Sequence, residues 1–141
     1  MAKIKIKKEI RYHGTAIVEM AIVITLLVYL TLGVIEYGWL FLKSQQITNA
    51  ARQATRAAIR QNATNSQVTD IIEVLMAQAG MAWEDSNYTV GIPADISSVE
   101  AGNALTITIT APCANIALIN APDFLPTPGE IEAAVTMAKE G

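Results

Sequence analysis

Apolar and polar positions divide the chain into three regimes. From Gly14 to Leu42 the sequence is almost unbroken apolar, and its only charges are Glu19 and Glu36. From Lys43 to about Gln78 apolar residues recur at helical spacing. Beyond Trp83 they alternate with polar residues. A helix over Ala16–Leu42 would rise roughly 40 Å at 1.5 Å per residue. That exceeds the ~30 Å hydrocarbon core of a bilayer, so residues 15–42 are expected to span one with some tilt or overhang. No Gly or Pro interrupts Trp39–Gln61. The helix should therefore continue as a stalk over 43–61, with Ile47, Ala50, Ala51, Ala54 and Ala58 forming a narrow apolar stripe. The polar break Asn62–Ser66 precedes a second short helix. Thr64 or Ser66 can cap it, Val68, Ile71, Ile72, Leu75 and Met76 give its apolar face, and Gly80 stops it.

The period-two region supplies the strands. Tyr88–Ile92, Ser97–Glu100, Leu105–Thr110 and Glu130–Lys139 read as strands, and Ala121–Gly129 as a proline-rich loop. Three or four antiparallel strands laid on the helix can bury one face, where an isolated hairpin would be marginal. The expected class is α+β: a long membrane-spanning helix and stalk, a short helix, and a small antiparallel sheet. The expected divisions are a basic leader over 1–14, the membrane helix over 15–42, the stalk over 43–61 and an outer domain over 62–141.

Charge sharpens this picture. The formal net charge of −3 hides five of the ten basic residues (Lys3, Lys5, Lys7, Lys8 and Arg11) before Gly14, beside one acid, Glu9. The remaining chain has five bases and twelve acids, a net −7, and from Gln61 onward there is one Lys against ten acids. Basic residues flanking an apolar helix favour the cytoplasmic side, which places the C-terminal part outside. Tyr37 and Trp39, with Phe41, lie where aromatic rings anchor a helix at the membrane interface. A secretory signal peptide fits poorly, because the apolar run is too long and lacks a small-residue cleavage site at its end. The acidic outer domain argues against a nucleic-acid partner, and the row Arg52, Arg56, Arg60 reads as a solvated face or one packed beside acidic groups.

Chemistry is sparse. The sole histidine, His13, lies in the leader, so no Ser-His or Cys-His site is available to the outer domain. No glycine-rich phosphate loop occurs, and nothing in the composition indicates a metal or cofactor. Glu84 and Asp85 beside Trp83 read as solvated acids. Cys113 is the one cysteine, which rules out an intrachain disulfide and reads as a buried thiol. The chain is expected not to be an enzyme and to have no small-molecule substrate.

Glu19 is the informative residue. A carboxylate within an apolar helix costs a few kcal/mol on insertion scales and calls for a partner. Glu19 follows Gly14 by five positions. If the chain were cut after Gly14, Thr15 would carry a free α-amine. In a bundle of such helices one chain's Glu19 could neutralise the next chain's amine. At ~4 Å and an effective dielectric near 20 the attraction is about 4 kcal/mol before desolvation. Such a pair would set axial register between neighbours, as a buried polar group does in a coiled coil.

The basic leader, Gly14, Thr15-Ala16-Ile17-Val18-Glu19 and the apolar helix together resemble a type IV prepilin-class signal. More narrowly, GTAIVEMAIVITLLVYLTLGVIEYGWLF followed by QQITNAARQATRAA resembles the TadE-like proteins of tight-adherence (Tad, or Flp-type) pilus systems, over about residues 11–58. Met137-Ala138-Lys139-Glu140 near the C-terminus is similar to that family's ending, whereas Met20 stands where the family usually has Phe or Tyr. The resemblance implies a type IV pilin-like fold and cleavage between Gly14 and Thr15 by a prepilin peptidase. It also implies assembly or register roles for Glu19 and Glu36. The partners it implies are the inner membrane, the peptidase, other pilin-like subunits and the Tad assembly machinery. The other reading is an uncleaved, single-pass envelope protein whose β domain binds a ligand or partner.

Overall fold

A computed structural model describes residues 9–81, 87–119 and 126–141, with only the backbone described for 9–13. The expected roles of Lys3–Lys8, Trp83, Glu84 and Asp85, and of most of the proline-rich loop, lie outside the described residues, as do those of the Arg11 and His13 side chains. The elements are α1 (Glu9–Ala58), α2 (Asn65–Gln78), β1 (Thr89–Gly91), β2 (Ala104–Pro112), α3 (Cys113–Ile116) and β3 (Glu130–Ala138). This is the expected α+β layout of a long apolar helix, a short helix and a small antiparallel sheet. The chain forms two compact units, Met1–Ile35 and Glu36–Gly141.

Within the first unit, α1 is apolar and its side chains are exposed. Ile17, Val18, Ile22, Leu26, Leu30 and Val34 each present half or more of their surface. Patches of this extent mark lipid or protein contact. The polar groups on this segment turn inward on the helix itself. Thr25 Oγ1 donates to the Ala21 carbonyl and Thr31 Oγ1 to that of Leu27, each at 2.8 Å. That satisfies both hydroxyls without water, as a hydrocarbon environment requires. Among the described residues α1 is the one helix long and apolar enough to cross a membrane. It begins earlier than expected. The sequence places a basic leader over residues 1–14 ahead of the helix, yet the helix starts at Glu9 and runs through Gly14 and Thr15.

In the second unit the α1 stripe is the floor of the core. Ile47, Ala51, Ala54 and Ala58 are fully buried, in one cluster with Val68, Ile72 and Met76 of α2 and Leu105, Ile107, Ile109 and Ala111 of β2. Small alanines on α1 let neighbouring elements approach the helix axis closely. The helix ends at Ala58, three residues short of the expected Gln61, and Asn62 takes φ 61°, a left-handed conformation that Asn tolerates better than most residues. Thr64 then caps α2 in a capping box. Its Oγ1 accepts from the Gln67 N–H and the Gln67 Oε1 accepts from the Thr64 N–H, each at 3.4 Å. Gly80 stops the helix with φ 73°.

The sheet has three strands in the order β1-β2-β3, both pairs antiparallel. The long pair runs from Ala104↔Ala138 to Pro112↔Glu130, in the register that puts Leu105, Ile107 and Ile109 on the core face and Thr106, Thr108 and Thr110 on the other. Ser97–Glu100 is a correction: it forms a turn, not a strand. The Asp95 carboxylate accepts from the Ser97 N–H at 2.8 Å and its hydroxyl at 2.6 Å, and Ser98 Oγ donates to the Asp95 carbonyl at 2.9 Å. These local bonds give the backbone an alternative to a ladder. The same bonds to Ser97 hold the Asp95 carboxyl below its usual range. Ile96, fully buried, anchors the turn: its N–H donates to Asn65 Oδ1 at 2.9 Å and its carbonyl accepts from Lys139 Nζ.

Candidate functional site

The residues singled out by sequence fall into two groups. Gly14, Thr15 and Glu19 lie on the first unit's helix, all exposed. Gly14 is not shaped by this fold. Its φ is not positive, and a Cβ built on it meets nothing within 4 Å. Neither backbone conformation nor packing among the described residues calls for glycine there. Glu19 is similar: no described side chain or backbone group bonds it. The carboxylate and the glycine both stand where the fold of the single chain makes no use of them.

Glu36, Tyr37 and Trp39 lie at the start of the second unit, on the first turns that its globular part covers. Glu36 is 1% exposed. Its Oε2 accepts from the Ile119 N–H at 2.9 Å and its Oε1 from the Leu118 N–H at 3.2 Å. Two adjacent backbone donors thus form a small cradle around one carboxylate, a charge-assisted arrangement stronger than neutral pairs. The cradle exists because α3, four residues long, turns the chain directly after Pro112. The Ala117 N–H closes that turn on the Cys113 carbonyl at 2.9 Å, leaving the next two N–H groups unpaired within it. Tyr37 donates its hydroxyl to the Pro126 carbonyl. Trp39 donates its indole N–H to the Ile116 carbonyl at 2.8 Å. Three polar side chains within one helical turn, Glu36, Tyr37 and Trp39, therefore clasp the chain on either side of residues 120–125.

Lys43 extends this clasp. It is buried, its ammonium lies 4.8 Å from the centre of the Trp39 ring, and it donates to the Ala79 carbonyl at the end of α2. A cation over an indole face is worth about 0.5–2 kcal/mol, rising as the pair is desolvated. Sequence reasoning gave no role to Lys43 and no partner to Glu36 within its own chain. No local pattern links residue 36 to residues 118–119. The only available signal was the cost of a carboxylate at an apolar position, which states that a partner exists and not where. Beside the clasp, Tyr37, Gly38, Leu40, Phe41, Pro128 and Ile131 line an open apolar groove of about 570 Å³.

Cys113 opens α3 and is buried. Burial pushes its thiol pKa up, and the nearby Glu130 carboxylate adds to this. A thiol raised in the folded state stays neutral past its ordinary pKa. Its contribution to stability is complete below that ordinary value and is lost as pH rises through the raised one. Iodoacetamide at pH 8.5 should therefore modify native protein more slowly than protein unfolded in urea, as followed by intact mass. Equal rates would contradict the buried placement. Among the described residues no cluster of three His, Cys, Asp or Glu is arranged to hold a metal.

No curated protein and no solved structure matches the chain. Residues 14–56, the segment holding Gly14, Thr15, Glu19, Glu36 and the stripe alanines Ala50, Ala51 and Ala54, are similar to the family described as TadE-like protein.

Proposed function

We propose that this chain is a pseudopilin or minor pilin of a Tad pilus. It is inserted in the inner membrane with its N-terminus cytoplasmic, and a prepilin peptidase cuts it between Gly14 and Thr15. The Tad machinery then assembles it with other pilin-like subunits into a structure used for adhesion or secretion. The supporting observation is Gly14: a glycine that the fold does not require, followed by a Glu19 that the fold does not use, where the exposed apolar run of α1 begins. Both residues are explained if their partners are other molecules. Glu19 pairs with the new Thr15 amine of a neighbour, and burial of both charges makes the pair selective for register. With its one histidine in the leader, the protein acts by assembly and not by catalysis, and it binds no cofactor, small-molecule substrate or nucleic acid.

The alternative, an uncleaved envelope anchor, draws on the continuity of α1 through Gly14 and Thr15. Glu19→Gln separates the two readings. The substituted protein should insert normally, measured by membrane fractionation, yet fail to enter assembled material. Unchanged incorporation would favour the anchor.

A further inference from the structure

The second unit segregates its exposed charge. Its described cations are Lys43, Arg52, Arg56, Arg60 and Lys139. Both lysines are buried, and each donates to a backbone carbonyl of its own chain. All the exposed positive charge therefore belongs to three arginines, two of them one turn apart on α1 and the third in the tight turn that closes on the Ala57 carbonyl. Among the described residues none of the three guanidinium groups makes an ion pair or hydrogen bond. Asp70 lines the same hollow as Arg60 without pairing to it. Unpaired exposed acids lie elsewhere, and Glu130 and Glu132 are the most regular of them. They occupy alternate positions of β3, so both project from the face of the sheet opposite the core.

We propose that the arginine row is an interaction surface for the Glu130–Glu132 edge of a second copy of this chain. The spacings agree. Arginines four residues apart on a helix are separated by ~6 Å along its axis, and residues two apart on a strand by ~6.7 Å. Two guanidiniums can thus face two carboxylates in step. Arginine suits this role because its planar donors grip a carboxylate bidentately. The two surfaces are different patches of one molecule, so the contact is head-to-tail. Such a contact propagates from copy to copy unless its rotation closes a ring. The inference stands apart from cleavage at Gly14, since neither surface includes the N-terminus.

The test uses full-length protein in a neutral non-ionic detergent, with association followed by sedimentation at low and high salt. Wild type should self-associate, and the association should weaken as salt rises, because exposed pairs are screened. The double variant Arg52→Glu/Arg56→Glu and the double variant Glu130→Lys/Glu132→Lys should each associate at least about tenfold more weakly, with unchanged circular dichroism. Mixed one to one, the two variants should associate with each other as wild type does, because each reversed surface meets its complement. A wild type that stays monomeric, or one whose association ignores salt, overturns the proposal. So does loss in the arginine variant alone, which would place the acidic partner elsewhere, and so does failure of the mixture to recover.

Discussion

Glu36→Ala should release the chain around α3 and destabilise the second unit by about 2–6 kcal/mol, because it leaves two backbone N–H groups without an acceptor at ~1–3 kcal/mol each. The wild-type carboxylate is fully enclosed and bonds both the Leu118 and Ile119 N–H groups. Glu36→Gln keeps one carbonyl oxygen for one donor and loses the charge, so it should cost roughly half as much. The signature is local as well as global. Amide exchange at Leu118 and Ile119 should accelerate in both variants by more than it does in β2, with the larger change in the alanine variant. Urea unfolding in detergent measures the global loss. An alanine variant with wild-type stability and protected amides would show that the cradle does not hold the loop.

Ile107→Ala should cost about 2–5 kcal/mol, the range for deleting a fully buried aliphatic side chain and leaving a cavity. Ile107 is the middle of the central strand, paired with Val135 of β3, completely buried, and part of the same cluster as the α1 alanines. The site collapses poorly because a rigid helix lies on one side and a two-sided ladder on the other. Ile107→Val should cost only ~0.5–1.5 kcal/mol. For a domain near a hundred residues the alanine variant should lower the melting midpoint by roughly 10 °C or more. Thr106 is its control: it faces away from the core and bonds Thr136 across the sheet. Thr106→Ala should therefore change stability by well under half the Ile107→Ala loss. Equal effects at the two positions would contradict the assigned register.

Most of the fold could be read from periodicity, since it follows from local rules. The alanine stripe, the α2 face and the Leu105–Ile109 alternation each record which side of an element is buried, and the structure buries those sides. Ser97–Glu100 departs from the strand that its hydropathy suggests because its β-compatible residues are outweighed by the bonds between Asp95 and the serines, a signal present in Asp-Ile-Ser-Ser but not in hydropathy. The early start of α1 has a similar cause. Residues 9–13 are polar, yet a helix already formed beyond them extends at little cost, since propagation is far easier than nucleation. The clasp of Glu36, Tyr37, Trp39 and Lys43 was hidden for a different reason. Its partners lie far along the chain, and all but the indole ring beneath Lys43 are backbone groups. Backbone donors and acceptors are the same at every residue, so no sequence pattern marks them.

Gly14, Thr15 and Glu19 stand apart from all of this. They are conspicuous in sequence because they break the apolar pattern, and in the folded chain Gly14 and the Glu19 carboxylate have no structural duty that explains them. Their meaning rests on whether the bond between Gly14 and Thr15 survives in the cell. Intact and terminal-peptide mass spectrometry of the protein recovered from its native membrane decides this. A chain beginning at Thr15 is the predicted result, and one beginning at Met1 or Ala2 would contradict it.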